Sequence, residues 1–200
     1  MLTVYTKEYT PPPPSLAQIL AYMGSPGENR ELEALVLGCI RESERALCYK
    51  VCYAEMPVEI HGDTVNFGFA TVRSPGLSKH LCGCRSAIIF AATLGIELDR
   101  LIAKSSVSSQ VRELAFSALG AERIEALCDT FCREASDIKR TSGLSLTRRF
   151  SPGYSDLPLA FQKDIFSLLQ CSKNIGLTLN DSMLMSPSKS VSAIVGVRNM

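Results

Sequence analysis

Ser86 to Gly95 reads SAIIFAATLG, a near-continuous apolar run closed by a glycine. A half-exposed strand would make every second side chain polar, so this run predicts a central strand buried on both faces. Such a strand needs neighbours along both edges and a layer over each side. Upstream, Cys48 to Phe69 places Tyr49, Val51, Tyr53, Val58, Ile60, Val65 and Phe67 mostly at alternate positions, which predicts two or three short strands. Downstream, from Val107 to about Ile138, apolar residues recur at Val111, Leu114, Ala115, Ala118, Ile124, Leu127, Cys128, Phe131 and Cys132 with a 3.6-residue rhythm. The rhythm falters only near Gly120, which either kinks this helix or splits it in two.

Toward the N-terminus, Pro11 to Pro14 form a stiff, extended polyproline segment that sets off residues 1–14 as an arm, a spacer or a docking element. Ser15 can cap a short helix through Met23, Gly24 to Gly27 turn the chain, and ENRELEALVLGCIRESERAL is an amphipathic helix with Leu32, Leu35, Val36, Cys39 and Ile40 on one face. Toward the C-terminus a polar loop at Thr141 to Gly143 leads to RRFSPGYS, a helix over LPLAFQKDIFSLLQ, and strand-like pieces around IGLTL, SMLM and SVSAIVGV. The class is α+β with a twisted, largely antiparallel sheet and flanking helices, and residues 15–200 form one unit.

The 200 residues are 46% hydrophobic and 20% charged, with a formal net charge of +1. That balance lacks the basic footprint of a nucleic-acid or anionic-membrane partner and leaves proteins and small molecules. The first residues show no signal peptide, and no run approaches the ~18 apolar residues that span a bilayer. Eight cysteines without an export signal suggest reduced thiols in a cytoplasm. Cys82 and Cys84 form C-x-C, while Cys48 with Cys52, and Cys128 with Cys132, are four apart. None gives the paired C-x-x-C of a zinc ribbon, so they read as small buried hydrophobes, with a metal or redox role as the alternative.

Two features can carry a ligand. In RFSPGYS, Arg149 offers a planar fork for a carboxylate, Pro152 and Gly153 bring the backbone close to a ligand, and Tyr154 presents a flat ring with a polar tip. These suit an amino acid or nucleoside, and equally a surface turn with a structural arginine. Glu125 shares a helix column with Ala118 and Cys132, beside Cys128. A carboxylate there needs a cation: a ligand's ammonium, a partner such as Arg112, or else a rim position facing water. Glycine-rich nucleotide loops, G-x-S-x-G and H-E-x-x-H are absent, so nothing points to self-contained catalysis.

RFSPGYS resembles the RPAPGYP signature of the activation domain of vitamin B12-dependent methionine synthase at Arg149, Pro152, Gly153 and Tyr154. GLTLNDSMLMSPSKSVS resembles that family's GMKLTESFAMWPGASVS without a gap, with Gly176, Leu179, Ser182, Met185, Pro187, Ser190, Val191 and Ser192 coinciding. FAATLG is similar to its FAVTGG-type strand end, and ALGAERIEALCDTF to its ALADRLAEAFAEYL helix, which puts Glu125 on a ligand-contacting glutamate. Phe150 and Ser155 stand where the family has prolines, and Ser186 where it has tryptophan. The resemblance is strongest over 86–197.

What the resemblance implies is an S-adenosylmethionine site built from Glu125, Arg149, Pro152, Gly153, Tyr154, Ser190 and Ser192. Arg149 would take the ligand's carboxylate, Tyr154 and the backbone near Gly153 its nucleoside or sulfonium region, and Glu125 its ammonium or hydroxyls. It further implies a role in methionine biosynthesis: reductive methylation that returns inactive cob(II)alamin to the methyl cycle, with an electron from a flavodoxin- or ferredoxin-type donor. The sequence contains no D-x-H-x-x-G corrinoid signature. The cobalamin would therefore come from a methionine synthase or another corrinoid protein, on which a free-standing homologue acts in trans. A scaffold that kept the fold and lost the ligand, and a metal or redox protein using Cys48, Cys52, Cys82 and Cys84, are the alternatives.

Overall fold

The computed structural model describes residues 3–25 and 29–200. Pro26 and Gly27, part of the expected turn at Gly24 to Gly27, lie outside them. The apolar run becomes β6 (Cys84–Thr93), the middle strand of a five-stranded sheet. Its neighbours are β2 (Lys50–Pro57) and β10 (Ser190–Asn199), both antiparallel, with Lys50 and Ser190 each opposite Thr93, and Pro57 and Val197 each opposite Ser86. The outer strands are β1 (Tyr5–Glu8) beside β2 and β7 (Leu144–Leu146) beside β10. Two small antiparallel sheets accompany it: β3 (Glu59–His61), β4 (Thr64–Asn66) and β5 (Thr71–Arg73), and the pair β8 (Thr178–Leu179) and β9 (Met185–Ser186).

Because successive side chains on a strand point to opposite faces, β6 feeds two cores. Ile88, Phe90 and Ala92 join Val51, Ala193 and Val195 under four helices: α1 (Leu16–Tyr22), α2 (Arg30–Ser43), α4 (Ile96–Ser108) and α5 (Gln110–Arg140). Ala87, Ile89 and Ala91 join Cys52, Ala54 and Ile194 under α3 (Pro75–His80), α6 (Gln162–Leu169) and α7 (Cys171–Ile175). Each fully buried Ile or Phe contributes about 1.5–3 kcal/mol, so the paired layers on β6 supply much of the driving force. The α+β class and the antiparallel sheet hold.

Three local readings change. The helical region breaks at Ser109, which is extended (φ −163°, ψ 108°) and whose side chain accepts from the Arg112 N–H at 3.4 Å to start α5. Gly120 instead lies inside an unbroken α5 of 31 residues. A Cβ at 120 would come within 2.8 Å of Leu98 Cδ2 and of Lys189 Cγ, so its glycine admits close packing rather than a kink. The expected helix over 157–170 starts later, as a 3₁₀ turn at Leu159–Phe161 that runs into α6, and ends where Gln170 turns left-handed (φ 46°).

Residues 5–8, expected within an extended N-terminal arm, form β1, with Tyr5 opposite Tyr53 and Glu8 opposite Lys50. The polyproline stretch is held as well. Extended polyproline makes no internal hydrogen bonds, so its carbonyls are open to outside donors. Arg123, only 2% exposed, donates from Nη1 to the Pro12 carbonyl (2.5 Å) and from Nη2 to that of Pro13 (3.3 Å). Glu122 closes the clamp, accepting from Arg123 Nε (2.5 Å) and Nη2 (2.6 Å) and from the Ser15 N–H (3.2 Å). Arg123→Ala leaves the Glu122 carboxylate buried and unpaired, and should lower stability by about 3–5 kcal/mol in chemical denaturation, with Glu122→Gln/Arg123→Met losing less.

Candidate functional site

Past β7 the chain stays alongside β10, and Phe150 makes both backbone hydrogen bonds of a bridge with Ile194 (2.9 Å each). That fixes which way each side chain goes. Phe150 enters the core under α6, and Arg149, one residue earlier, points to the opposite face, against α5. Its Nη2 lies 2.7 Å from Glu125 Oε2 and 3.1 Å from Asp129 Oδ1. Glu125 and Asp129, four apart, share one helix face. Arg112, the partner considered for Glu125, bonds Glu42 instead, at 2.5 Å.

Arg149 Nη1 is buried and has no hydrogen-bond partner among the described residues. The thiols of Cys128 and Cys132 share this environment. Burial pushes Cys128 up to about 12 and Cys132 to about 11, against the opposing pull of the Arg149 charge. Both are therefore neutral near pH 7 and behave as polarisable packing beside the guanidinium.

The rest of the motif turns. Gly153 sits at φ +85°, a conformation that favours glycine, and its N–H donates to the Leu157 carbonyl at 2.9 Å. Pro152 is buried beneath the turn. Tyr154 is 65% exposed, its ring edge-on to Phe150 with centroids 5.2 Å apart. Helix α3 makes a second wall, tied down at both ends. The Asp156 carboxylate accepts from the Ser74 hydroxyl and the Gly76 N–H, which hold it below the usual carboxylate range. His80 Nε2 donates to the Arg148 carbonyl at 2.8 Å, and its ring packs on Phe150 at 5.1 Å.

Two shallow grooves result, each of about 530 Å³. One runs between Lys79 and His80 of α3 and Arg148, Arg149 and Tyr154. The other lies between α1 and α5, lined by Gln18, Ala21, Tyr22, Glu125 and Asp129. Arg149 borders the first and bonds the carboxylates that line the second, so the two signs of charge meet at one side chain.

The structure thus pairs Arg149 with Glu125 and sets Arg149 and Tyr154 along one groove, with Pro152 and Gly153 in the turn between them. Ser190 and Ser192 share the parity of Ile194 and face the α6 side of the sheet, away from the guanidinium. Ser190 Oγ donates to the Pro187 carbonyl (2.8 Å) and lies 2.8 Å from Thr93 Oγ1, whereas Ser192 Oγ is buried without a partner among the described residues. Asp129 and the α3 wall escaped sequence reasoning. The i to i+4 spacing from Glu125 could have flagged Asp129, whereas nothing local marks His80 or Asp156.

Residues 144–199 match the family model described as vitamin B12 dependent methionine synthase, activation domain. The sequence similarity to a methionine synthase activation domain is thus confined to this segment. No curated protein matches the chain. Among solved structures, the crystal structure of the MetH reactivation domain bound to AdoHcy superposes with a TM-score of 0.69 at 16% identity, covering 98% of this chain and 78% of that one. The activation-domain fold therefore extends well beyond the matched segment and includes α5, where Glu125 and Asp129 lie. Among the described residues no helix is long and apolar enough to cross a membrane, and no three His, Cys, Asp or Glu side chains are grouped to hold a metal ion.

Thiol chemistry checks the environment around Arg149. With raised values, Cys128 and Cys132 carry almost no thiolate at pH 8, so an alkylating reagent should label exposed Cys82 and leave both unmodified. Peptide mapping should show their labelling rise only as pH nears 11. Rapid modification of either at pH 8 would show that the face is open.

Proposed function

We propose that this protein binds S-adenosylmethionine across the Arg149 region and supports reductive reactivation of a cobalamin carried by a separate corrinoid protein. The observation that carries the reading is the charge arrangement at Arg149 inside an activation-domain segment. Arg149, Glu125 and Asp129 sum to a formal −1, and S-adenosylmethionine, with a carboxylate, an ammonium and a sulfonium, to +1. Nη1 is uncommitted but buried, so the ligand's carboxylate would meet the guanidinium by displacing Glu125 and Asp129 from Nη2. Glu125 and Asp129 suit its ammonium, while Tyr154 and the Gly153 turn offer a flat face and close backbone for the nucleoside. The relative bound to AdoHcy, the demethylated form of this ligand, supports the same assignment.

When bound, S-adenosylmethionine supplies an activated methyl group. The chain's own contribution is positioning: holding that group in a shallow, open groove where a partner's corrin face can meet it, which replaces a random encounter by an oriented one. No residue here needs to move a proton. The partner would be a methionine synthase or another corrinoid protein, with a flavodoxin- or ferredoxin-type protein giving the electron. The eight free cysteines suit the reducing cytoplasm where such donors work. A net charge of +1 implies docking by shape and apolar contact more than by steering, hence mild salt sensitivity. The Arg149–Glu125 pair also favours a second reading, a scaffold whose site is closed by its own ion pair.

Calorimetry separates the two. S-adenosylmethionine should bind at one site, and Arg149→Ala should weaken it by about 1.5–3 kcal/mol, the scale of a lost charge-assisted hydrogen bond. Glu125→Gln should weaken it too, with the fold intact by circular dichroism. No heat and no thermal shift at millimolar ligand would leave the scaffold. For the role in trans, a methionine synthase lacking its activation domain should lose its cob(II)alamin absorbance and gain methylcobalamin faster when this chain, ligand and a low-potential donor are present. Arg149→Ala should abolish that gain.

A further inference from the structure

Away from the Arg149 region, the α6–α7 face of the sheet buries two thiols from distant parts of the chain. Cys52 on β2 and Cys171 on α7 are 119 positions apart in sequence, yet their Sγ atoms lie 3.9 Å from each other. They are 0% and 1% exposed. Cys52 is fixed within β2, opposite Ala91 of β6. Cys171 opens α7, a helix of only five residues between two left-handed positions, Gln170 (φ 46°) and Gly176 (φ 68°). Cys171 also lines a groove of about 700 Å³ with Phe166, Gln170 and Leu177, so a small solute there lies against Cys171, with the Cys52 sulfur 3.9 Å behind it.

We propose that Cys52 and Cys171 are a disulfide-forming pair, oxidised by a hydroperoxide that reaches them through the α6–α7 groove. The thiol–thiol hydrogen bond prepares the first step, since it favours ionisation of Cys52 and opposes that of Cys171. The Cys52 thiolate attacks a peroxide oxygen and the O–O bond breaks. With hydrogen peroxide the leaving hydroxide takes up the released proton as water, and Cys52 becomes a sulfenic acid. The Cys171 sulfur then attacks the Cys52 sulfur, the S–O bond breaks, and hydroxide leaves with the Cys171 proton as a second water. Two thiols have lost two electrons and two protons, and the peroxide has been reduced to two waters. The bond needs α7 to approach β2 by about 2 Å, and once made it ties α7 to the sheet.

The test uses the full chain and hydrogen peroxide as probe. After peroxide treatment, non-reducing peptide mapping should find a Cys52–Cys171 cross-linked peptide. In a Cys82→Ser background the thiol count should fall by two per chain, the melting temperature should rise, and dithiothreitol should reverse both. Cys171→Ser and, independently, Cys52→Ala should lose the cross-link and the peroxide-dependent shift in melting temperature. The proposal is overturned if Cys52 and Cys171 remain thiols while other cysteines oxidise, or if the oxidised cross-link joins any other pair.

Discussion

Strand β6 is apolar on both faces, and that one property governs the arrangement around it. Its peptide groups require a hydrogen-bonded strand on each edge, and β2 and β10 run its length to provide them. Its side chains require cover on each side, which divides the helices into α1, α2, α4 and α5 against α3, α6 and α7. A strand added outside β10 inherits the same alternation. Phe150, bridged to Ile194, must enter one layer, and Arg149 must therefore face the other, where α5 crosses. The meeting of the arginine with Glu125 and Asp129 follows from a period of two on a strand and of 3.6 on a helix.

The two arginine clusters on α5 differ in what their burial permits. Arg123 and Glu122 are almost fully enclosed, with side-chain exposures of 2% and 3%, and every partner is intramolecular. Breaking such a pair strands a charge in a low-dielectric interior, so it can only be structural. Arg149, Glu125 and Asp129 are 27%, 48% and 64% exposed. Pairs at that exposure are screened and worth about 0–1 kcal/mol, so a ligand carrying both signs of charge can replace them at little cost. Exposure, more than distance, separates a clamp from a site.

The same distinction explains how much the sequence disclosed. SAIIFAATLG announces β6 because burial on both faces leaves no polar residue in it, and RFSPGYS announces the turn because Pro152 and Gly153 constrain the backbone locally. A serine is compatible with both a helix and a cap, so Ser109 carries no local sign of the break between α4 and α5, whereas Gly120 stands out in the sequence and serves close packing. Tyr5–Glu8 carries no apolar alternation, and all four residues are exposed, so only its pairing with β2 makes it a strand. Glu125 and Arg149 were each legible as charges in need of a partner. That each satisfies the other depends on a contact across 24 residues that neither local pattern encodes.

The polyproline segment belongs to this architecture as firmly as the helices do. Its carbonyls are the acceptors for Arg123, and Ser15, which starts α1, donates its own N–H to Glu122. Glu122 precedes Glu125 by three residues and Asp129 by seven, close to whole turns of α5, so clamp and carboxylates share one side of the helix. Helix α1, launched from the clamp, runs beside that side and presents Gln18, Ala21 and Tyr22 to Glu125 and Asp129. The outer wall of the carboxylate groove is therefore set by residues before position 23, and the buried ion pair anchors the start of the helix that forms it.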